Sequence, residues 1–259
     1  GRLPRFSLPA HNVRDVPAAE SAAASMNRWP LIVKPDLSYG GSRGVSRVRN
    51  AQDLAAAVEF ALEQGLPGTG VVLEPWVRGT EHSCEVLIED GRTEVLCVGQ
   101  KVKSAAPFRV DLSVQYPAPL PPDVYEQVDE MVAASVGAIG LERGVAHVEF
   151  VYTSDGPVLI ELGARCGGSH TPQVVEAVNG VQEMVEYARI ACGLAANVKI
   201  GAVPLQDRVR SQRGADYRFL VFPPGTVAGV EVPPWIRAHE NVLDVEAMVA
   251  PGDVIELLR

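Results

Sequence analysis

The stretch VAHVEFVYTSDGPVLIELGARCGGSH, residues 145–170, decides the fold of this chain. It contains two apolar runs, at 145–152 and 158–162, that are rich in the β-branched residues that favour strands. Between them lies the five-residue segment TSDGP, whose composition is typical of a turn. The stretch therefore predicts a β-hairpin centred on Asp155.

Two acidic residues of this hairpin lie at equal distances from its centre. Glu149 and Glu161 are placed symmetrically about Asp155, so in that register they are direct cross-strand neighbours with Cβ atoms about 5 Å apart. Like charges in such a position repel. The repulsion is relieved when one carboxyl takes up a proton or when a divalent cation binds both. The structural alternative is an acid pair on a solvated sheet face.

The second strand leads into a segment that suits phosphate binding. Arg165 supplies a permanent cation whose N–H groups can hold a phosphoryl or acyl-phosphate oxygen. Gly167 and Gly168 let the backbone approach a ligand closely, and Ser169 and His170 follow at the start of a predicted helix. Each feature is weak alone, but beside the acid pair they predict a site that handles phosphate.

A second candidate phosphate-binding segment is VKPDLSYGGSRGV, residues 33–45. Lys34 ends a short apolar strand, so its ammonium projects from a sheet. The residues that follow can turn tightly and offer backbone N–H groups to phosphate oxygens; they are Ser38, Gly40, Gly41, Ser42 and Gly44. Because the lysine precedes the glycines, the segment is neither a Walker A loop nor a dinucleotide fingerprint. In isolation, a plain turn is the more frequent interpretation.

The segment VVLEPWVRGTEHSCEVL, residues 71–87, lies between these two. Its strand carries Glu74 and continues through Trp76 and Val77, which can give adenine a flat apolar wall and backbone hydrogen bonds. Glu81 follows a glycine turn and can bind ribose hydroxyls. An ordinary strand followed by a loop is an equally good interpretation.

Composition excludes several classes of protein. The 259 residues include 23 Lys and Arg against 32 Asp and Glu, a formal net charge of −9, which argues against nucleic acid or an anionic membrane as the main partner. No run of about 18 apolar residues and no signal-peptide core is present. The cysteines are scattered without a CxxC pair, which predicts reduced thiols in a cytoplasmic protein; they are Cys84, Cys97, Cys166 and Cys192.

The order of elements predicts an α+β fold. Apolar residues at helical spacing predict helices at 50–64, 123–139 and 171–192. Strands are expected at 31–34, 45–49, 71–74, 83–89 and 93–101, with a hairpin turn signal at Glu89-Asp90-Gly91 between the last two. The proline-containing residues 1–28 are interpreted as a connector that enters one short helix. Strict βαβ alternation is absent, so a doubly wound sheet is not favoured.

The three motif-bearing segments, in this order, resemble the ATP-grasp superfamily, in particular its carboxylate–amine ligases, which include L-amino acid ligases. Biotin carboxylase, carbamoyl-phosphate synthetase and D-alanine–D-alanine ligase are more distant relatives. The resemblance implies two α+β subdomains with mainly antiparallel sheets that clasp ATP. Residues 1–28 would connect to an upstream domain, 29–82 would form the small subdomain and 83–200 the large one. Residues 201–259 would form its strand-rich C-terminal part or a truncated lobe.

The resemblance also implies roles for individual residues. Lys34 would contact the α-phosphate, with the loop at 38–44 closing over the phosphates. Glu74, Trp76 and Val77 would meet adenine, and Glu81 would bind the ribose. Glu149 and Glu161 would hold Mg²⁺, for which Mn²⁺ can substitute. Arg165 would stabilise the acyl-phosphate, Lys101 would face the substrate side, and the segment from Gly167 to His170 would contact substrate.

Two departures from the family pattern affect these expectations. Relatives often carry Asn two residues after the second metal-binding glutamate, where this chain has Gly163. In the predicted register Gly163 faces His147, so a water molecule or that imidazole would fill the position. Amino acid ligases often carry His before the segment YPAPLP, where this chain has Ser113 or Val114.

The expected function is ATP- and Mg²⁺-dependent, ADP-forming ligation of a small-molecule carboxylic acid to an amine through an acyl-phosphate, and a homodimer is compatible with the family. Three alternatives remain open at this point. They are a nucleotide-binding module without turnover, a bicarbonate-using enzyme like biotin carboxylase, and a metal-free hydrolase whose two glutamates act as acid and base.

Overall fold

The computed structural model describes residues 5–38, 40–104, 110–210 and 212–256, which form two compact units divided between residues 219 and 220. The first unit contains a four-stranded sheet and a six-stranded sheet, both antiparallel throughout. None of the helices in the described part of the chain has the length and hydropathy needed to cross a membrane. The predicted α+β class with mainly antiparallel sheets is confirmed.

The smaller sheet has the order β1-β4-β2-β3, with two helices packed against it. Its strands are β1 His11–Val13, β2 Leu31–Pro35, β3 Ser46–Val48 and β4 Val71–Pro75, and its helices are α1 Val16–Met26 and α2 Leu54–Gln64. Leu31 and Val33 alternate toward the core on β2, where they meet Val58 and Ala61 of α2. The first 28 residues thus contribute an edge strand and a helix to this layer, where the sequence had predicted a connector with one short helix.

The larger sheet has the order β10-β7-β6-β5-β8-β9 and is covered on both faces. Its strands are β5 Thr80–Glu89, β6 Arg92–Lys103, β7 Asp111–Tyr116, β8 Gly144–Thr153, β9 Gly156–Gly163 and β10 Ala215–Arg218. Cys84, Val86 and Ile88 pack on one side with helix α3, Pro122–Ile139. Leu87 packs on the other with α4, Thr171–Asn179, and α5, Glu183–Ala191. Cover on both faces explains why every residue of β5 from His82 to Ile88 is buried, the polar ones included.

Two local predictions meet different outcomes. The β5–β6 hairpin turns at Asp90 and Gly91, both with positive φ, as the sequence predicted. The single helix predicted for 171–192 is wrong, because Gly180 adopts φ 79° and ends α4. Helix α5 then begins at Glu183.

The β8–β9 hairpin combines a tighter turn than expected with a bulge. Thr153 pairs with Gly156, so the turn has two residues, and the predicted five-residue turn is wrong. The register then shifts by one residue between Glu149 and Phe150, which leaves Ile160 as the extra residue of β9. Glu149 pairs with Glu161 as predicted, because the bulge compensates for the shorter turn.

The remaining elements are short. Helix α6, Leu205–Arg210, belongs to the first unit. In the second unit β11, Gly225–Thr226, pairs with β12, Val254–Ile255, and helix α7 spans Pro234–Arg237. The described residues of this unit contribute no buried side chain to a hydrophobic core, and Trp235 is 69% exposed.

Candidate nucleotide-binding site

A cleft of about 750 Å³ in the first unit is lined by residues of both sheets. Many residues predicted from the sequence line it: Lys34, Ser38, Gly40, Gly41, Ser42, Glu74, Trp76, Val77, Glu81, Glu149, Glu161 and Arg165. Six others do not: Gly44, Lys101, Gly167, Gly168, Ser169 and His170. The three motif-bearing segments, far apart in the sequence, therefore meet at one cavity.

Lys34 lies on β2 and links the two sheets across the cleft. Its Nζ is 2.8 Å from Glu74 Oε1 on the neighbouring strand β4. It also donates a hydrogen bond of 3.4 Å to the carbonyl of Ile160, the bulge residue of β9. The Lys34 ammonium therefore connects the interior strand β2 of the smaller sheet with the edge strand β9 of the larger one.

The glycine-rich loop presents exposed backbone at the mouth of the cleft. Gly40 and Gly41 have φ of 82° and 70°, and a Cβ added at either would meet nothing within 4 Å. Gly44 is different, because a Cβ there would lie 2.8 Å from Pro35 Cγ and 2.9 Å from Gln64 Cβ. The part of the predicted loop at Tyr39 lies outside the described residues.

The predicted adenine wall contains an arginine that the sequence interpretation missed. The guanidinium carbon of Arg47 lies 3.7 Å from the centroid of the Trp76 ring, and both residues line the cleft. The N–H of Trp76 donates to the Pro30 carbonyl at 3.0 Å, so a base would have to bond to the Trp76 carbonyl or the Val77 backbone. Arg47 lies among other arginines at 43 and 49, so nothing local distinguished it.

Alternating charges run along one wall of the cleft. Lys103 contacts Glu81 at 3.0 Å and Asp111 at 2.8 Å, while Lys101 contacts Asp111 at 3.2 Å and Glu149 at 2.6 Å. Burial alone would lower the pKa of Lys101, but the charges of Glu149 and Asp111 outweigh it and raise that pKa. Lys101 thus holds the first glutamate of the acid pair, and its role on the substrate side stays a prediction.

The two glutamates of the acid pair lie in different environments. Oε1 of Glu149 is 2.6 Å from Lys101 Nζ and 3.1 Å from His147 Nε2. Burial alone would raise the pKa of Glu149, but these two neighbours outweigh it and hold the pKa well below its usual range. Glu161 is exposed and has no hydrogen bond or ion pair with any described residue. Neighbouring cations, which the sequence analysis had not considered, thus relieve part of the repulsion.

The residues present fit a magnesium ion. The carboxyl groups of Glu149 and Glu161 face one cleft, and the contacts of Glu149 use only its Oε1. Within the described part of the chain no cluster of three or more metal-ligating side chains exists. Mg²⁺ commonly binds one or two carboxylates and completes its shell with phosphate oxygens and water, so this donor set suits a metal that arrives with a nucleotide.

His147 lies behind the acid pair and is held by two carboxylates. Its Nδ1 is 2.5 Å from Glu85 Oε1, and its Nε2 contacts Glu149. Burial would lower the pKa of His147, but the hydrogen bonds to Glu149 and Glu85 outweigh it and raise the pKa to about 9. Gly163 does pair with His147 in register. Both imidazole nitrogens are already engaged, however, so the ring does not fill the position of the missing asparagine.

The segment after β9 divides into an exposed part and an anchored part. Arg165 is exposed, and its Nη1 donates to the Cys166 carbonyl at 2.9 Å. Gly167 is buried and its N–H donates to Glu85 Oε2 at 2.9 Å, so this amide is engaged inside the protein. Gly168 and Ser169 are exposed outside the cleft lining, and His170 lies edge-on to Tyr217, with ring centroids 6.5 Å apart.

Glu85 was not among the residues predicted for the site, although the sequence contained a signal for it. Glu85 interrupts the apolar run SCEVLI, and a charge in a buried strand is seldom left unpaired. Asp111 and Lys103 gave no such signal, because they lie at strand ends, where a charged residue is unremarkable.

Comparison with known proteins agrees with this geometry. D-alanine–D-alanine ligase of Mycolicibacterium smegmatis is 34% identical over 152 residues, which are 53% of this chain and 39% of the ligase. Dapdiamide A synthase of Enterobacter agglomerans is 25% identical over 87% of this chain and 54% of the synthase. The chain thus spans about half the length, or less, of these curated relatives.

The fold has solved counterparts. The crystal structure of L-amino acid ligase from Bacillus licheniformis matches 98% of this chain and 59% of its own, with a TM-score of 0.77 and 24% identity. The sequence pattern of the ATP-grasp domain matches residues 27–173, more than half of the chain, including the glycine-rich loop, the charged wall and the acid pair. The chain belongs to the ATP-grasp domain family.

Proposed function

We propose that this chain is the nucleotide-binding and catalytic core of an ATP- and Mg²⁺-dependent ligase. It activates a small carboxylic acid as an acyl-phosphate and joins it to an amine, with release of ADP and phosphate. The similarity to D-alanine–D-alanine ligase and dapdiamide A synthase supports this class of reaction. Which acid and which amine react is left to experiment.

The observation that carries the proposal is the composition of one cleft wall. Glu161 and Arg165 line the same cavity as Lys34 and the glycine-rich loop, and neither is neutralised by another described side chain. Glu149, beside Glu161, is kept ionised by Lys101. A hydrolytic acid/base pair needs one protonated carboxyl, and Glu149, paired with Lys101, is not that member.

The nucleotide end of the cleft follows from its contacts. Lys34 is held by Glu74 and the Ile160 carbonyl, so its ammonium is fixed in place for phosphate oxygens. Gly40 and Gly41 are exposed; the Gly40 N–H donates to Ser38 Oγ at 3.3 Å within the loop, and the Gly41 N–H is the one offered to a phosphate oxygen. The Trp76 ring, with Arg47 stacked on it, provides the wall for the base.

The chemical step needs no side-chain nucleophile. A carboxylate oxygen of the substrate attacks the γ-phosphorus of ATP while the bond to the β-phosphate oxygen breaks, so ADP leaves. The amine nitrogen then attacks the acyl carbon, the phosphate leaves with the bonding pair, and the nitrogen loses a proton. Mg²⁺ on Glu149 and Glu161, when bound, supplies neutralisation of phosphate charge. Arg165 stabilises negative charge on the transferred phosphoryl group.

The test is ADP release by the purified protein, measured with a coupled assay against panels of carboxylic acids and amines. We expect release that requires Mg²⁺ and both substrates, and loss of at least about 100-fold in Glu161→Gln, which removes a charge that acts on the transferring group. The control is Glu126→Gln, an exposed acid on helix α3. Full activity in Glu161→Gln, or release that depends on bicarbonate alone, contradicts the proposal.

A further inference from the structure

A buried carboxylate outside the cleft, that of Glu85, has no role in the reaction outlined above. Glu85 lies on β5 with no exposed surface. Burial of an ionised carboxylate is costly unless its oxygens are paired. Both oxygens are paired here, and each partner belongs to a segment that carries a residue of the proposed site.

One oxygen of Glu85 reaches the strand of the first metal-binding glutamate. Oε1 is 2.5 Å from His147 Nδ1 on β8, and the other ring nitrogen of His147 is 3.1 Å from Glu149 Oε1. The ring therefore cannot rotate without breaking a bond to a carboxylate at each end. The orientation of Glu149 depends on Glu85 through this ring.

The other oxygen of Glu85 reaches the loop of the phosphate-binding arginine. Oε2 accepts a hydrogen bond of 2.9 Å from the Gly167 N–H, two residues after Arg165. A Cβ at Gly167 would lie 2.8 Å from Glu85 Oε1 and 2.7 Å from Thr171 Cγ2. Only glycine allows the loop to approach the carboxylate this closely.

We propose that Glu85 is a positioning residue that clamps Glu149, through His147, and the Arg165 loop, through Gly167, into one arrangement for the metal–nucleotide complex. This inference rests on the proposed function of the cleft. Groups that hydrogen-bond to a metal ligand and orient it commonly affect metal affinity by about 10- to 100-fold without touching the metal. His147 is such a group for Glu149, and Glu85 holds His147 and in addition fixes a second segment.

Two substitutions of Glu85 separate the effect of its length from the effect of its charge. Glu85→Gln keeps the length and the acceptor for Gly167 but places an amide N–H₂ opposite His147. Glu85→Asp keeps the charge but is one methylene too short to reach both partners. The matched control is Glu94→Gln on β6: Glu94 is also buried, accepts the Gly201 N–H at 2.6 Å and contacts Arg208, but does not line the nucleotide cleft.

The experiment is calorimetric titration of ADP into the purified full chain, with and without Mn²⁺, alongside thermal unfolding. We expect both Glu85 variants to bind Mn²⁺–ADP at least about tenfold more weakly than wild type, with metal-free ADP affinity within twofold. Glu94→Gln is expected to leave both affinities unchanged, even where it lowers the unfolding temperature.

Three outcomes overturn the inference. One is unchanged Mn²⁺–ADP affinity in both Glu85 variants. Another is an equal fall in metal-free and metal-bound affinity, which indicates general damage to the cleft. The third is failure of both variants to fold while Glu94→Gln folds, which assigns Glu85 to stability alone. Absence of metal-dependent ADP binding in the wild type is a different result, because it refutes the proposed function and the inference with it.

Discussion

The two walls of the cleft are built on opposite principles. The inner wall, defined by Asp111 and Glu149, which line the cleft, and by Lys101 and His147 behind them, is a chain of ion pairs in which each charged group touches another. The outer wall, defined by the described residues of the glycine-rich loop at 38–44 together with Glu161 and Arg165, is exposed except at Gly44 and makes few contacts within the protein. The inner wall is therefore preorganised, whereas the outer wall has charges left for a ligand to neutralise.

This difference follows from the energetics of burial. A charge on the inner wall must be paired, because desolvation without a partner costs several kcal/mol. A charge on the outer wall keeps its water and needs no partner until a ligand displaces that water. Substitutions that remove one charge from each wall should therefore affect stability and binding differently.

The largest expected contrast lies within the acid pair itself. Glu149→Gln leaves Lys101 and His147 without their shared anion, and breaking a buried pair from one side costs about 3 kcal/mol of the free energy of unfolding. Glu161→Gln removes an exposed charge next to another carboxylate, so its unfolding free energy should change by less than about 0.5 kcal/mol. Urea denaturation of both variants without nucleotide measures the difference, and equal losses would contradict the contrast between the walls.

A histidine beneath the inner wall predicts how stability depends on pH. His82 stacks on Phe150 with ring centroids 5.1 Å apart, and burial lowers its pKa from 6.5 to about 4. The unfolded state therefore binds the proton more readily, so this contribution is complete above pH 6.5 and is lost as the pH falls toward 4. At pH 5 the loss is roughly 2 kcal/mol relative to pH 7.

The measurement is urea denaturation at pH 7 and pH 5, with His82→Phe as the variant that cannot be protonated. We expect the variant to lose less stability than wild type between these two pH values. An identical drop in both proteins would show that other groups cause the acid sensitivity.

Substitutions at two glycines of the glycine-rich loop should differ in effect, one acting mainly on stability and the other mainly on ADP affinity. Gly44→Ala adds a Cβ 2.8 Å from Pro35 at φ 74°, so it should lower the free energy of unfolding by about 2 kcal/mol. Gly41→Ala meets no neighbour and should cost about 1 kcal/mol for its left-handed backbone. Its larger effect should be on ADP affinity, measured by titration, because the loop backbone faces the cleft.

How much of this arrangement could be predicted depended on sequence distance. Glu149 and Glu161 belong to one hairpin, so local pattern was enough to pair them, although the turn length was wrong and the bulge at Ile160 corrected it. Lys101 and Asp111 were different, because their meeting with Glu149 requires the strand order β7-β6-β5-β8, which joins segments far apart in the chain. Periodicity reports which face a residue occupies but not which strand lies beside it.

The smallest expected effect is on ADP affinity at the end of the cleft proposed to bind adenine, where Arg47 stacks on the Trp76 ring. Arg47 lies 3.7 Å from the Trp76 ring centroid, and an exposed cation–π contact contributes about 0.5–1 kcal/mol. If the stack holds the ring in place for adenine, Arg47→Ala should weaken ADP binding about three- to fivefold. The control Arg49→Ala removes an exposed arginine two residues further along the chain. Quenching of tryptophan fluorescence on titration with ADP reports on both, with Trp76→Phe to identify the signal. Equal ADP affinities in the two arginine variants would mean that the stack stabilises the fold and takes no part in base recognition. The part of the outer wall that binds nucleotide would then end at the glycine-rich loop.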